Sequence, residues 1–295
     1  MFSRRLRARP VLVVVAVPVA ALLVAVLTAA RAAPARAEKV PHRIISLSPS
    51  ATESLFAIGA GKQVVAVDNQ SDYPKQAPRT KLSGYTPNVE AIAAYKPDLV
   101  VIAYDPNHLR ATLKKLHIRV LEQDAPKNLP GAYAEILQLG RVTGHAARAA
   151  RLVASMKKRI GKLVAAGRKR GAGLTVYHEL DPTLYSVTSK TFVGRVYSLF
   201  GLKNIADAAD TTGSGYPQLS AEYVVAANPD LIVLADTVCC GQTQKTVGAR
   251  PGWSSIRAVR NGEIVRLDDS IASRWGPRVV NFVRAVASAL SHVHR

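Results

Sequence analysis

A stretch that occurs twice sets the architecture of this chain. Residues 87–102 read P-N-V-E-A-I-A-A-Y-K-P-D-L-V-V-I, and residues 218–234 read Q-L-S-A-E-Y-V-V-A-A-N-P-D-L-I-V-L. In each copy a glutamate opens a short helical pattern, and a proline seven residues later stops it. Proline has no backbone N–H and its ring clashes with the preceding turn, so the helix cannot continue. Asp98 and Asp230 then lead into Leu99-Val100-Val101-Ile102 and Leu231-Ile232-Val233-Leu234. These unbroken apolar runs have the character of strands covered on both faces in a parallel sheet. Two such units about 130 residues apart predict two similar α/β lobes. Two lobes enclose a cleft, and clefts bind small ligands.

The remaining sequence alternates in the same way. Residues 43–47 read as a strand, and Ser50 with Glu53 reads as a capping box opening a helix that Gly59 closes. A strand over 63–68, an irregular loop over 72–80, the first copy, a helix over 107–116, a strand over 118–122 and a helix over 129–141 complete a βα series. Such a series folds as a mostly parallel sheet, and this first lobe occupies residues 43–142. Residues 145–167 carry the longest helical pattern of the chain, free of proline, with Ala149, Leu152, Val153, Met156, Ile160, Leu163 and Val164 at helical spacing between Arg and Lys. A helix is a stiffer connection than a loop and predicts little hinge motion. The second lobe, residues 173–295, repeats the plan: a strand over 174–180, a loop with Tyr185, a helix over 192–200, the second copy, a strand over 263–267 and a terminal helix over 277–292.

Residues 1–37 are a separate matter. Arg4, Arg5, Arg7 and Arg9 precede an uncharged apolar run over 11–30, and Ala35-Arg36-Ala37 follows as a small-residue cleavage site. This is the pattern of a secretory signal peptide ending at Ala37. The run is long enough to span a bilayer, so an uncleaved anchor is the alternative reading, against which Pro18 and the alanine-rich exit weigh. Ser3-Arg4-Arg5 is a weak echo of twin-arginine export. No cysteine lies near the run, so lipidation there is not expected. The protein is therefore expected outside the cytoplasmic membrane, in a periplasm or at the outer face of the membrane and the cell wall. Six of the 40 Lys and Arg residues sit in this acid-free segment, so the rest of the chain keeps about +14 of the +20 net charge. That excess attracts anionic surfaces. The cations are not interleaved with aromatics as in nucleic-acid binders, and a solvated basic face against acidic wall polymers is the simpler reading.

The segment R-I-I-S-L-S-P-S-A-T-E-S-L-F-A-I-G-A-G at 43–61, the two units ending in P-D-L-[VI]-V, and G-x-I-V-R-L at 262–267 resemble the helical-backbone class of periplasmic substrate-binding proteins. Those proteins deliver cobalamin, ferric siderophores or haem to ABC importers. The resemblance covers nearly all of the chain after residue 37, and S-P-S-A-T-E with the Glu-Pro-Asp units looks most like the cobalamin-binding branch. It implies two Rossmann-like lobes with mostly parallel sheets joined by one long α-helix, a monomer with the ligand between its lobes, and an ABC permease as partner. The implied ligand is a corrinoid, with a ferric siderophore or haem as the alternative. In this family one exposed glutamate on each lobe docks against arginines of the permease, and Glu90 and Glu222 match that pattern. Proximity to a helix N-terminus stabilises a carboxylate by about 0.3–1 kcal/mol. That accounts for either residue alone but less well for the same offset in both lobes.

Tyr85, Tyr104, Tyr185, Tyr216 and Trp275 fall in loops outside the apolar stripes. Flat rings with a polar tip suit a large, partly apolar ligand, while packing on the parent lobe is the plainer alternative for each. Only Arg274 and Arg278 accompany them, too few for a tri-anionic ferric chelate. Cys239 and Cys240 are the only cysteines. Adjacent Cα atoms lie about 3.8 Å apart, below the usual disulfide range of about 4.4–6.8 Å. An oxidising compartment still permits a vicinal disulfide, which beside Gly241 would form an apolar wall; a free dithiol is the other state. His42, His108, His117, His145, His178, His292 and His294 are dispersed and lack metal-site spacing, so no metal is expected. His178, with Glu179 and Asp181 after a strand, is the one candidate to reach a haem iron, against the plainer reading of a surface or core histidine. No nucleophile elbow, phosphate-binding glycine loop or C-x-x-C occurs, so neither catalysis nor a cofactor is expected. A metal chelatase-like enzyme and a wall-attached sensor are the readings from other classes.

Overall fold

The Pro-Asp step of the duplicated stretch is where each sheet is pinned. The Asp98 carboxylate accepts the backbone N–H groups of His42 and Arg43, at 2.8 and 3.0 Å, just ahead of the first strand. Asp230 accepts the N–H and hydroxyl of Thr175, at 2.8 and 2.9 Å, at the start of the corresponding strand in the second lobe. Lys96 and Asn228, immediately before the two prolines, both take left-handed φ, 49° and 44°. Asparagine adopts that conformation readily and lysine does not. In the first lobe the Arg43 guanidinium holds the turn by donating to the carbonyls of Tyr95 and Lys96, at 2.6 and 3.1 Å.

The structure, a computed structural model, describes residues 39–293; the expected signal peptide over 1–37 and His294 lie outside them. The first lobe runs β1 (Ile44–Leu47), α1 (Pro49–Ala57), β2 (Val64–Val67), α2 (Val89–Ala94), β3 (Leu99–Ile102), α3 (Leu109–Lys115), β4 (Arg119–Glu122) and α4 (Leu129–Val142). Then comes α5 (Ala146–Gly171), 26 residues long. The second lobe runs β5 (Thr175–Glu179), α6 (Phe192–Leu199), β6 (Lys203–Asn204), α7 (Ala221–Ala227), β7 (Leu231–Leu234), α8 (Gln244–Gly248), α9 (Arg257–Arg260), β8 (Ile264–Arg266), α10 (Asp269–Ala272) and α11 (Val279–Leu290). The sheets have the orders β2-β1-β3-β4 and β6-β5-β7-β8, every pairing is parallel, and the two orders are equivalent. Two parallel α/β lobes joined by a long helix is the architecture read from the sequence.

Some local expectations are corrected. The capping box at Ser50 and Glu53 does not form. Ser48 caps α1 by accepting the Ala51 N–H, with Pro49 in the first turn, where its missing N–H costs nothing. Glu53 is drawn elsewhere. The connecting helix runs past residue 167 to Gly171, because Arg168, Lys169 and Arg170 continue it and cations suit a helix C-terminus. β6, α8, α9 and α10 are too short for their periodicity to show in the sequence.

α5 lies along the edges where the strands begin. Gln63, just ahead of β2, donates to the Thr143 carbonyl at 3.2 Å, and the Gly173 N–H donates to the Gly201 carbonyl at 3.1 Å between the starts of β5 and β6. The opposite edges, where strands end, are left to the cleft. One hydrophobic cluster runs from Ile44 and Leu55 through Met156 and Ile160 of α5 to Val176, Phe200 and Phe282, so the lobes share a core. A Cβ added at Gly140 would lie 2.4 Å from that of Ala149, which shows how closely α4 and α5 approach. With a shared core and a bridging helix, small-angle scattering curves with and without ligand should superimpose. A marked compaction on ligand addition would contradict this rigidity.

Candidate ligand cleft

The four strands of the first lobe all end at one cavity. Leu47-Ser48-Pro49-Ser50 at the end of β1, Asp68 and Gln70 after β2, Ala103-Tyr104 after β3 and Asp124-Ala125 after β4 line it, together with Gly84-Tyr85. Ser273-Arg274-Trp275 of the second lobe closes it, and its volume is about 480 Å³. Strand carboxyl ends are where α/β sheets present ligand contacts. A Cβ at Gly84 would meet the Leu47 carbonyl at 2.6 Å, so glycine is what lets this loop lie against β1 and bring Tyr85 forward. The rings of Tyr85 and Tyr104 are 6.0 Å apart at 47° and remain 69% and 40% exposed, an aromatic wall with open space before it. Trp275 stands edge-on to Phe192 at 6.5 Å, and its backbone N–H donates to Ser50 Oγ at 3.3 Å. Burial pushes the pKa of Glu135 up to about 7, against the influence of the Trp275 side chain.

The two arginines beside Trp275 are committed elsewhere. Arg278 donates to Glu53 at 2.6 Å and lies 4.3 Å over the Tyr73 ring. Arg274 donates to Asp72 at 2.6 Å, to the Gln70 carbonyl at 2.8 Å and to Glu53 at 3.4 Å. Glu53, read from the sequence as a helix cap, is thus a buried anchor between the lobes. The ionisable groups left facing the cavity are acidic. Asp68 is 2% exposed and its Oδ1 meets no donor. Burial raises its pKa, against hydrogen bonds from Ser71 and Gln70. The carboxyl oxygens of Asp68 and Asp124 in this lining can accept hydrogens from amides or ammonium groups. Sequence reasoning missed Glu53, Asp68, Asp72 and Asp124; the one usable signal was a polar residue directly after an apolar strand, as in V-V-A-V-D.

The other expected residues are not gathered here. Tyr185 and Tyr216, 41% and 52% exposed, sit in the loops beyond β5, where Tyr185 pairs with Gln218, and do not line the cavity. Cys239 and Cys240 are joined through their sulfurs at an exposed loop after β7. Asp269 at the start of α10 accepts the N–H groups of Val238 and Cys239, at 3.0 and 2.7 Å, which couples this loop to the segment that closes the cavity. Below it Arg250 grips Glu179 with two bonds of 2.6 Å. His178 does not reach the cleft: it is fully buried, 2.6 Å from the Tyr197 hydroxyl, and burial drives its pKa down to about 3. Among the described residues no group of three His, Cys, Asp or Glu could hold a metal ion. Glu90 and Glu222 are exposed in the first turns of α2 and α7, capped by Asn88 and Ser220. A larger groove of about 750 Å³ between α4, α5 and α6, lined by Tyr133, Phe192 and Arg195 among others, does not collect the strand ends.

The periplasmic binding protein family matches residues 44–271. The chain belongs to that family. An ABC transporter substrate-binding lipoprotein of Bacillus subtilis (strain 168) is 32% identical over 262 residues, covering 86% of this chain and 81% of the relative. A cobalamin-binding protein of Halobacterium salinarum is also 32% identical over 262 residues, covering 84% of this chain and 69% of the relative. The crystal structure of the periplasmic vitamin B12 binding protein BtuF of Vibrio cholerae superimposes with a TM-score of 0.72 at 26% identity, covering 85% of this chain and 97% of that one.

One buried acid gives this periplasmic binding protein a pH signature. Neither oxygen of Asp236 meets a donor, and burial first, then the Glu179 charge, raises its pKa from 3.8 to about 7. Between those values the folded chain keeps a proton that the unfolded chain has lost, so this group's contribution to stability falls as pH rises through the window. Urea unfolding from about pH 4 to about pH 8 should show a shallower loss of stability with rising pH in Asp236→Asn than in the parent. Identical pH dependence in the two proteins would refute the assignment.

Proposed function

We propose that this periplasmic binding protein captures a corrinoid outside the cytoplasmic membrane and delivers it, without turnover, to the permease of an ABC importer. The cavity carries the reading: a tyrosine pair from one lobe and a tryptophan from the other frame a space whose uncommitted charges are carboxylates. A corrin ring offers broad apolar faces and a rim of neutral amides, which suit aromatic walls and acceptor oxygens. Haem propionates and anionic ferric chelates would face Asp68 and Asp124 instead. The Halobacterium and Vibrio relatives, named for cobalamin and vitamin B12, support the same choice. The cavity holds one side of so large a ligand; Tyr185, Tyr216 and the Cys239–Cys240 ring take the other. Residues 1–37 serve as the export signal, and the carrier works as a monomer with Glu90 and Glu222 as its docking points.

Titration calorimetry with cyanocobalamin tests the ligand. Binding should be tight and should weaken roughly tenfold or more in Trp275→Ala, the loss of one buried ring face worth about 1–3 kcal/mol. No binding of cyanocobalamin, alongside tight binding of haem or a ferric siderophore, would transfer the protein to iron uptake and leave the carrier role standing.

Replacing Glu90 and Glu222 together by alanine should leave corrinoid affinity nearly unchanged and abolish uptake in cells. Lost affinity in the purified double variant would refute the docking role.

A further inference from the structure

α5 carries nine Lys and Arg residues and no acid among its 26 residues. With 3.6 residues per turn, Arg148, Arg151, Lys158, Arg159 and Lys162 fall in one stripe about 100° wide and about 21 Å long. All five are exposed, while Ala149, Val153, Met156 and Ile160 bury another face. Among the described residues none of the five takes part in an ion pair. Outside the described residues the chain has one acidic side chain, Glu38, against five cations in the stripe. Like charges three and four positions apart, such as Arg148 with Arg151 and Lys158 with Lys162, weaken an isolated helix, so the stripe is retained at a cost.

The position of the stripe narrows the partner. α5 follows the edges where strands begin, whereas Glu90 and Glu222 stand at the helix ends nearer the edges where strands finish. On the proposed docking, on which this argument rests, a permease-bearing membrane lies on the glutamate side and the stripe points away from it. We propose that the stripe on α5 is a docking surface for a linear polyanion, a phosphodiester polymer of the cell envelope, lying along the helix. Polymer held there leaves the cleft and both glutamates free, and it concentrates the carrier in the envelope.

Binding of the protein, as exported, to immobilised poly(glycerol phosphate) tests this. The parent should bind in a salt-sensitive manner, since released counterions drive such association. Arg151→Gln with Lys158→Gln, Arg159→Gln and Lys162→Gln should weaken binding about tenfold or more and flatten the salt dependence. A control lacking four exposed cations of the first lobe, Lys75, Lys81, Lys114 and Lys115 each changed to Gln, should bind as the parent does. Lys158→Arg with Lys162→Arg, which keeps the charge, should also bind as the parent does. Equal losses in the stripe variant and the control would overturn the proposal, as would tighter binding to phosphatidylglycerol vesicles than to the polymer. Cyanocobalamin titration of the same variants separates the two readings: lost polymer binding in the parent with corrinoid binding intact sinks the stripe alone, and the reverse result sinks the corrinoid reading alone.

Discussion

A carboxylate in the interior of α1 governs how the two halves of this molecule meet. The Glu53 side chain is 1% exposed, and an unpaired charge in such a place costs several kcal/mol. Its partners, Arg274 and Arg278, come from more than 220 residues further along the chain. The first lobe therefore reaches its stable form only with the second lobe's segment 268–278 laid against it. The same segment carries Trp275 over the strand ends and ties Ser270 and Arg274 to Asp72, at 3.2 and 2.6 Å. Fold and site depend on one cluster.

That cluster also marks the limit of what the sequence discloses. The Pro-Asp steps, the apolar strands and the long helix are local patterns, and each is legible because its cause lies within a few residues of its effect. Glu53 misleads because S-x-x-E describes a capping box, while the partners that decide its role are remote. Tyr104 and Tyr185 look alike as loop aromatics after strands. Only the packing of the second lobe against the first decides that Tyr104 lines the cavity and Tyr185 does not. His178 misleads for another reason. β5 is a central strand covered on both faces, so Tyr177, His178 and Glu179 are all 0% exposed, and alternation cannot deliver a side chain to the cleft.

Committing both arginines to the lobe junction has a chemical consequence for the cleft. Cations that could have met a carboxylate-bearing ligand are already paired, and the carboxyl groups that remain in the lining are those of Asp68 and Asp124. Under the proposed function, a structural requirement of the fold would thus bias ligand choice, with the aromatic walls supplying area and the carboxyl groups supplying discrimination.

The same junction constrains release. Lobes joined by a shared core, a helix across both sheets and a buried ion cluster form a cleft that is preorganised, so little binding energy goes into closing it. If the scattering prediction holds, such a cleft would not open by itself. Under the proposed docking, Glu90 and Glu222 give the permease one handle on each lobe, and parting the lobes would strand the Glu53 charge without its arginines. Breaking a buried pair of this kind costs about 3–5 kcal/mol. Work of that size has to come from the transporter, so the cluster that makes the carrier hold its ligand would also make delivery depend on the importer.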